Sequence, residues 1–136
     1  MHRHRVFIDS SFWIAFWNER QTHHGRSREI VANLFRERAQ FLSTPFVFAE
    51  VHATFSRSGP VREQVISDFW ENRLMHLAEI SNDDQQAAIA LLRQNKDKTY
   101  PFCDAVSFVI MQRLQLRRVA AFDDHFDQFG EFEVLS

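Results

Sequence analysis

Four carboxylates in this chain stand where an acid needs a reason. Asp9 directly follows the apolar run "RVFI" (5–8), and Glu50 sits among Phe46, Val47, Phe48, Ala49 and Val51. Asp104 falls near the start of "PFCDAVSFVIMQRLQL", and Asp123 directly follows "RRVAAF". Taken singly, Asp104 reads as a helix N-terminal acid favoured by the dipole, and Asp123 as a turn or capping residue. Glu50 and Asp9 resist that treatment, because an unpaired carboxylate in apolar surroundings is costly. If all four meet, their repulsion favours a bound cation. An oxygen-only ligand set suits a hard ion such as Mg²⁺ or Mn²⁺.

Whether they meet depends on the elements that carry them. Residues 5–8 form a short strand, followed over 10–18 by a brief helix with Ser10 or Ser11 as its cap. Between Thr22 and Arg38 the apolar residues Ile30, Val31, Leu34 and Phe35 recur at helical spacing. "QFLST" (40–44) is a second strand, and Pro45 opens a helix over 45–57 that carries Glu50. After the breaker "SGP", Pro60 starts a helix through Trp70, and "LMHLAEI" (74–80) is a third strand. A helix over 81–97 has Ser81 or Asn82 as cap, with Asp83 and Asp84 in its first turn. The most apolar helix spans 101–116 and leads into a fourth strand over 117–122; a short last strand is expected over 132–136.

Strands alternating with helices, without hairpin signals, predict an α/β fold. Its sheet is mainly parallel, with four to five strands and helices on both faces, in three α/β/α layers. At 136 residues the expectation is a single domain, 1–136. In such sheets functional groups collect at the carboxyl ends of the strands. Asp9 and Asp123 end strands, and Glu50 and Asp104 lie in early helical turns, so all four converge on one edge.

Several function classes are excluded. Only three glycines are present (Gly25, Gly59, Gly130), so neither a dinucleotide fingerprint nor a phosphate-cradling P-loop can be written. An aspartyl phosphatase would carry a second Asp where Ser11 stands, and a receiver domain would need an acidic pair at the first strand and a late lysine. The seven histidines invite a metal-free nuclease reading, but only His125 lies beside the acids, and it is expected to cap or pack. The net charge of −2 gives no general attraction for nucleic acid. The single cysteine, Cys103, excludes an internal disulfide and suits a reducing cytoplasm. Asp9 interrupts any signal-peptide core in "MHRHRVFIDSSF". No apolar run reaches the roughly 20 residues of a membrane helix, so a cytoplasmic protein without membrane attachment is expected.

The ordered segments "FIDSSFWIA", "TPFVFAEV", "PFCDAVSFVIMQRL" and "VAAFDDHFDQFG" together resemble PIN-domain ribonucleases, and among them the VapC-type toxins of bacterial toxin–antitoxin pairs. The resemblance spans Asp9 to Phe132. It implies a PIN-like fold and metal-dependent hydrolysis of RNA phosphodiester bonds, with in-line attack by water leaving a 5′-phosphate and a 3′-hydroxyl. The family's acidic cluster falls on Asp9, Glu50, Asp104 and Asp123, which would hold one or two Mg²⁺ ions, with Mn²⁺ as a substitute. Asp123, rather than Asp124, takes the motif position. Ser11 matches a small polar residue that supports the acids by hydrogen bonding. Glu50 is the candidate proton acceptor. The implied partners are an RNA substrate, a cognate antitoxin and a second copy in a homodimer. Cys103 departs from the pattern, which more often has Thr, Ser or an aliphatic residue there; Ser107 supplies a hydroxyl one turn on. The alternative is a catalytically inert PIN-like module that binds RNA or serves as a scaffold.

Three remaining features have plainer readings. Most of the 15 Phe, three Trp and one Tyr fall at core spacings. The short helix carrying Phe12, Trp13, Phe16 and Trp17 cannot bury all four rings, so part of it is expected to face a partner. Arg57, Arg62, Lys96, Lys98, Arg117 and Arg118 are candidate phosphate contacts, though each taken singly reads as a solvated surface charge. Cys103 is expected to be a buried, inert thiol.

Overall fold

The computed structural model describes residues 4–136; His2 and the start of the basic leader segment lie outside the described residues. Among the described residues five strands alternate with seven helices. The first half comprises β1 (Arg5–Ile8), α1 (Ser10–Trp17), α2 (His24–Arg36), β2 (Gln40–Ser43), α3 (Pro45–Phe55) and α4 (Gly59–Trp70). The second comprises β3 (Met75–Leu77), α5 (Asn82–Gln94), α6 (Phe102–Arg113), β4 (Arg118–Ala120), α7 (His125–Phe129) and β5 (Glu133–Leu135).

All five strands are parallel, in the order β3-β2-β1-β4-β5. The expected α/β sheet is therefore found, at the upper of the two strand numbers and with no antiparallel member. The chain builds outward from β1 to β3 on one side and then returns to place β4 on the other. The carboxyl ends of β1 and β4 thus flank the switch point, where connections leave in opposite directions and open a crevice. Ile8 pairs with Ala120 there, so Asp9 and the residues after β4 emerge side by side.

The strands are apolar runs because both faces are covered. Val6, Phe7, Ile8, Val119 and Ala120 are buried to within 1% of completely. Helix α1 packs on α2 and α3, α3 packs on α4, and α5 packs on α6. Helix α6 is buried from Cys103 to Met111, as its composition predicts. Around its Phe108 cluster Tyr100, Phe126, Phe129 and Phe132, with edge-on, stacked and tilted rings 4.3–6.2 Å apart. Among the described residues no helix is long and apolar enough to cross a membrane.

Several boundaries differ from expectation, each for a visible reason. Helix α1 is capped by Asp9, whose Oδ2 accepts from the Ser11 amide at 3.1 Å, and not by Ser10 or Ser11. Strand β3 stops at Leu77 instead of Ile80, because Arg113 Nη2 donates to the Glu79 carbonyl and grips Asp84, drawing the chain toward the start of α5. Strand β4 stops at Ala120 instead of Phe122, because the Phe122 amide donates to the Ser11 hydroxyl. Helix α5 starts on a capping box between Ser81 and Asp84 and ends at Gln94, where the Asn95 side-chain amide donates to the Leu91 carbonyl. Arg38 and Gln115 close α2 and α6 in the left-handed region, at φ 59° and 56°. Each lets the next amide reach back five residues, Ala39 to Leu34 and Leu116 to Met111.

Candidate active site

At the switch point the chain gathers acids. Asp9 leaves β1 fully buried, its amide donating to the Ala120 carbonyl at 3.0 Å. Its Oδ2 accepts from the Ser11 amide and, at 2.6 Å, from the Ser11 hydroxyl, whereas its Oδ1 is buried with no hydrogen-bond partner. The Ser11 hydroxyl in turn accepts from the amides of Phe122 at 3.0 Å and Asp123 at 3.4 Å. Ser11 therefore ties the exit of β1 to the exit of β4.

Asp104 enters from the first turn of α6, 3% exposed, and Asp123 from the loop after β4. Asp123 Oδ1 accepts from the His125 amide at 3.0 Å, which folds the loop so that the imidazole turns back on the acids. His125 Nδ1 lies 2.5 Å from Asp104 Oδ2 and 3.8 Å from Asp123 Oδ1. One donor atom from each of Asp104, Asp123 and His125 lies within 4.8 Å of the other two, a spacing that one metal ion can span. His125 is thus drawn into the cluster, where sequence reasoning left it as a capping or packing residue. The signal was its position two residues after Asp123.

Glu50 is only half-buried on α3, beside an exposed Ala49, so its apolar neighbours in sequence do not enclose it. Its Oε1 accepts from the Ser10 hydroxyl at 2.7 Å. Ser10 was read only as a possible cap; as the first helical residue it turns toward Glu50, while Ser11 turns back to Asp9. Asp9 lies close enough to Asp104 and Asp123, and Glu50 to Asp104, for their charges to interact. Ser107 does not serve the acids: its hydroxyl donates to the Cys103 carbonyl at 3.0 Å. Asp124 stands at the N-terminus of α7 and makes no capping hydrogen bond there.

The electrostatics follow from the geometry. Burial, then the charges of Asp104 and Asp123, push the Asp9 carboxyl well above its usual range, despite the Ser11 hydrogen bonds. Burial, then Asp123 and Glu50, raise Asp104 to about 7. Cys103 is pushed up by burial and then by Glu50, Asp9 and Asp104, so the thiol stays protonated and unreactive at neutral pH. The cluster as it stands is short of positive charge, and Asp9 Oδ1 spends its burial on nothing in the protein. A divalent cation is the group that such residues fit.

Of the candidate phosphate contacts, Lys96 and Lys98 are exposed in the connection that leads to α6 and Asp104. Arg117 and Arg118 lie at the opposite edge, before or at the start of β4, and Arg118 is paired with Glu37 at 3.0 Å. Arg57 follows the far end of α3, and Arg62 lies beyond it on α4. As expected, the aromatic helix does not bury all four rings: Phe12 and Trp13 are buried core residues. Phe16 and Trp17 are half-buried and line a 190 Å³ cavity with Val31 and Phe35, the last of which is exposed.

The sequence places this five-stranded parallel sheet with acids at its switch point in a known family. The pattern of the PIN domain family matches residues 6–131, and the chain belongs to that family. It is similar to the "23S rRNA-specific endonuclease VapC20" of two Mycobacterium tuberculosis strains, with 25% identity over 130 residues that cover 95% of this chain and 97% of each relative. The crystal structure of Mycobacterium tuberculosis VapC20, described as a sarcin–ricin loop cleaving toxin, superposes with a TM-score of 0.86 at 22% identity; the match covers 96% of this chain and 99% of that one. VapBC2 from Rickettsia felis, bound to a DNA fragment from its promoter, matches with a TM-score of 0.66 at 10% identity over 96% of each chain. At those identities the two structures speak for the fold.

Proposed function

We propose that this chain, acting as one domain, is a divalent-metal-dependent ribonuclease that hydrolyses RNA phosphodiester bonds, and is the toxin of a VapBC-type pair. The observation that carries the reading is Asp9: a wholly buried carboxylate with one unpartnered oxygen, facing two more acids at the switch point of the sheet. Asp104 and Asp123 would hold the ion, with Asp9 and Glu50 completing its surroundings, and Mg²⁺ or Mn²⁺ as the cofactor. When bound, such an ion activates water and neutralises charge developing on phosphate oxygens.

The chain's own residues supply the rest. Ser11 fixes Asp9 and the Asp123 loop in one register. Glu50, half-exposed and held through one oxygen by Ser10, is our candidate to accept a proton from water. Lys96 and Lys98, exposed in the connection that leads to α6 and Asp104, are our candidates for RNA phosphate contacts, with Lys98 paired to Asp97 at 3.6 Å. The likeness to an rRNA endonuclease and to a VapBC protein supports RNA as substrate and a cognate antitoxin as partner. The apolar cavity beside Phe16 and Trp17 suits an antitoxin segment or a second copy. RNA and a reduced Cys103 both suit the cytoplasm.

The test is RNA cleavage by the purified chain with Mg²⁺ or Mn²⁺, with end mapping of the products. New 5′-phosphate ends are expected; full activity in chelator would contradict the reading.

A further inference from the structure

Resting on the metal-nuclease reading, the geometry raises a question about donor chemistry. A site of carboxylates alone suits Mg²⁺, which holds oxygen ligands and gives up water reluctantly. This site is not made of carboxylates alone. His125 Nδ1 is hydrogen-bonded to Asp104 Oδ2 at 2.5 Å and lies 3.8 Å from Asp123 Oδ1, and one donor atom from each of the three residues lies within 4.8 Å of the other two, so an ion entering there would exchange that hydrogen bond for ligation. The imidazole is held there from two sides. Its backbone amide is pinned by Asp123 Oδ1 at 3.0 Å, and the ring meets Tyr100 edge-on at 5.8 Å. Tyr100 is itself buried and braced against Phe108 and Phe129. The wholly buried, unpartnered Oδ1 of Asp9 independently marks the place as a ligand site.

We propose that His125 Nδ1 binds the metal ion directly, and that this nitrogen makes the site prefer Mn²⁺ over Mg²⁺. Nitrogen donors favour first-row transition ions, whereas Mg²⁺ gains little from replacing a water or carboxylate oxygen with imidazole. Ligation through Nδ1 places the ring proton on Nε2. The competing role is an outer one, with Nδ1 donating to Asp104 and the ion seeing oxygen only; it predicts no nitrogen at the metal and no ion preference from His125.

Pulsed EPR on the full chain loaded with Mn²⁺ alone separates the two. A ¹⁴N coupling of directly bound imidazole is expected, and His125→Asp should abolish it while the protein remains folded by circular dichroism. In competition binding, His125→Asp should lower the Mn²⁺-to-Mg²⁺ affinity ratio on the order of tenfold, because the donor set becomes all oxygen. Bound Mn²⁺ without ¹⁴N coupling, or a ratio unchanged in His125→Asp, overturns the proposal and leaves the nuclease reading standing. Failure of the wild-type chain to bind Mn²⁺ overturns both. The wild-type spectrum decides the matter even where the variant does not fold.

Discussion

The Ser11 hydroxyl accepts a hydrogen bond from the amide of Phe122, 111 residues away, at 3.0 Å. The same hydroxyl donates to Asp9 Oδ2 at 2.6 Å, so one oxygen ends strand β4, orients a buried acid and sets the distance between the two halves of the site. Ser11→Ala takes one of two donors from Asp9 Oδ2 and removes the acceptor of the Phe122 and Asp123 amides. It should cost about 1–3 kcal/mol of stability and lower RNA cleavage about 10–100-fold. Urea denaturation and a cleavage assay measure both; wild-type stability and activity would contradict the role.

Asp104 carries the pH dependence. Its folded-state value of about 7 stands above the ordinary 3.8, so the folded protein binds this proton more tightly than the unfolded chain does. That stabilisation is complete below the unfolded value and is lost as pH rises toward about 7, and Asp9 is shifted in the same direction. Metal-free protein should therefore weaken as pH rises across that window, and Asp104→Asn should flatten the slope. Thermal melts in chelator provide the check; a stability that rises over this range would contradict the assignment.

Glu50 and Ser10 separate proton transfer from ion binding. Glu50→Gln keeps the shape and an oxygen for Ser10 but removes the base, so kcat should fall about 10²–10⁴-fold. Ser10→Ala removes only the 2.7 Å hydrogen bond and should cost tenfold or less, since it acts through Glu50. Single-turnover cleavage at saturating metal distinguishes them. Near wild-type cleavage by Glu50→Gln would remove Glu50 from proton transfer.

Arg38 offers a test away from the site. Its φ of 59° is strained for any side chain, by roughly 1–2 kcal/mol. Glycine relieves that strain but loosens the unfolded chain by about 0.4–1 kcal/mol. Arg38→Gly should therefore stabilise the protein by up to about 1.5 kcal/mol, with cleavage unchanged. Destabilisation in urea would show that the left-handed turn is held by the arginine side chain.

The layers of the fold were legible because burial on both sheet faces writes strands as apolar runs and helices as repeats between them. Asp9 and Asp123 could be located from the strands they follow, and Asp104 from its helix start. Beyond Ser11, which the resemblance already pointed to as a support for the acids, the site's second tier was not legible. Two adjacent serines look alike in sequence, yet the turn of a helix sends Ser10 to Glu50 and Ser11 to Asp9. His125 looked like a cap because its approach to Asp104 depends on a side-chain hydrogen bond within the Asp123 loop. The partner of Arg118 was not legible either: strand direction puts it at the far edge, against Glu37.

The central claim is that buried acids at the junction of β1 and β4 hold an ion that RNA hydrolysis requires. Cleavage of a defined RNA by the wild-type chain and by Asp104→Asn, each with Mn²⁺ and each in excess chelator, tests it most directly. The account predicts cleavage by wild type with metal, none in chelator, and a loss of at least about 100-fold in Asp104→Asn. Cleavage by Asp104→Asn at the wild-type rate, or by wild type in chelator, would contradict it.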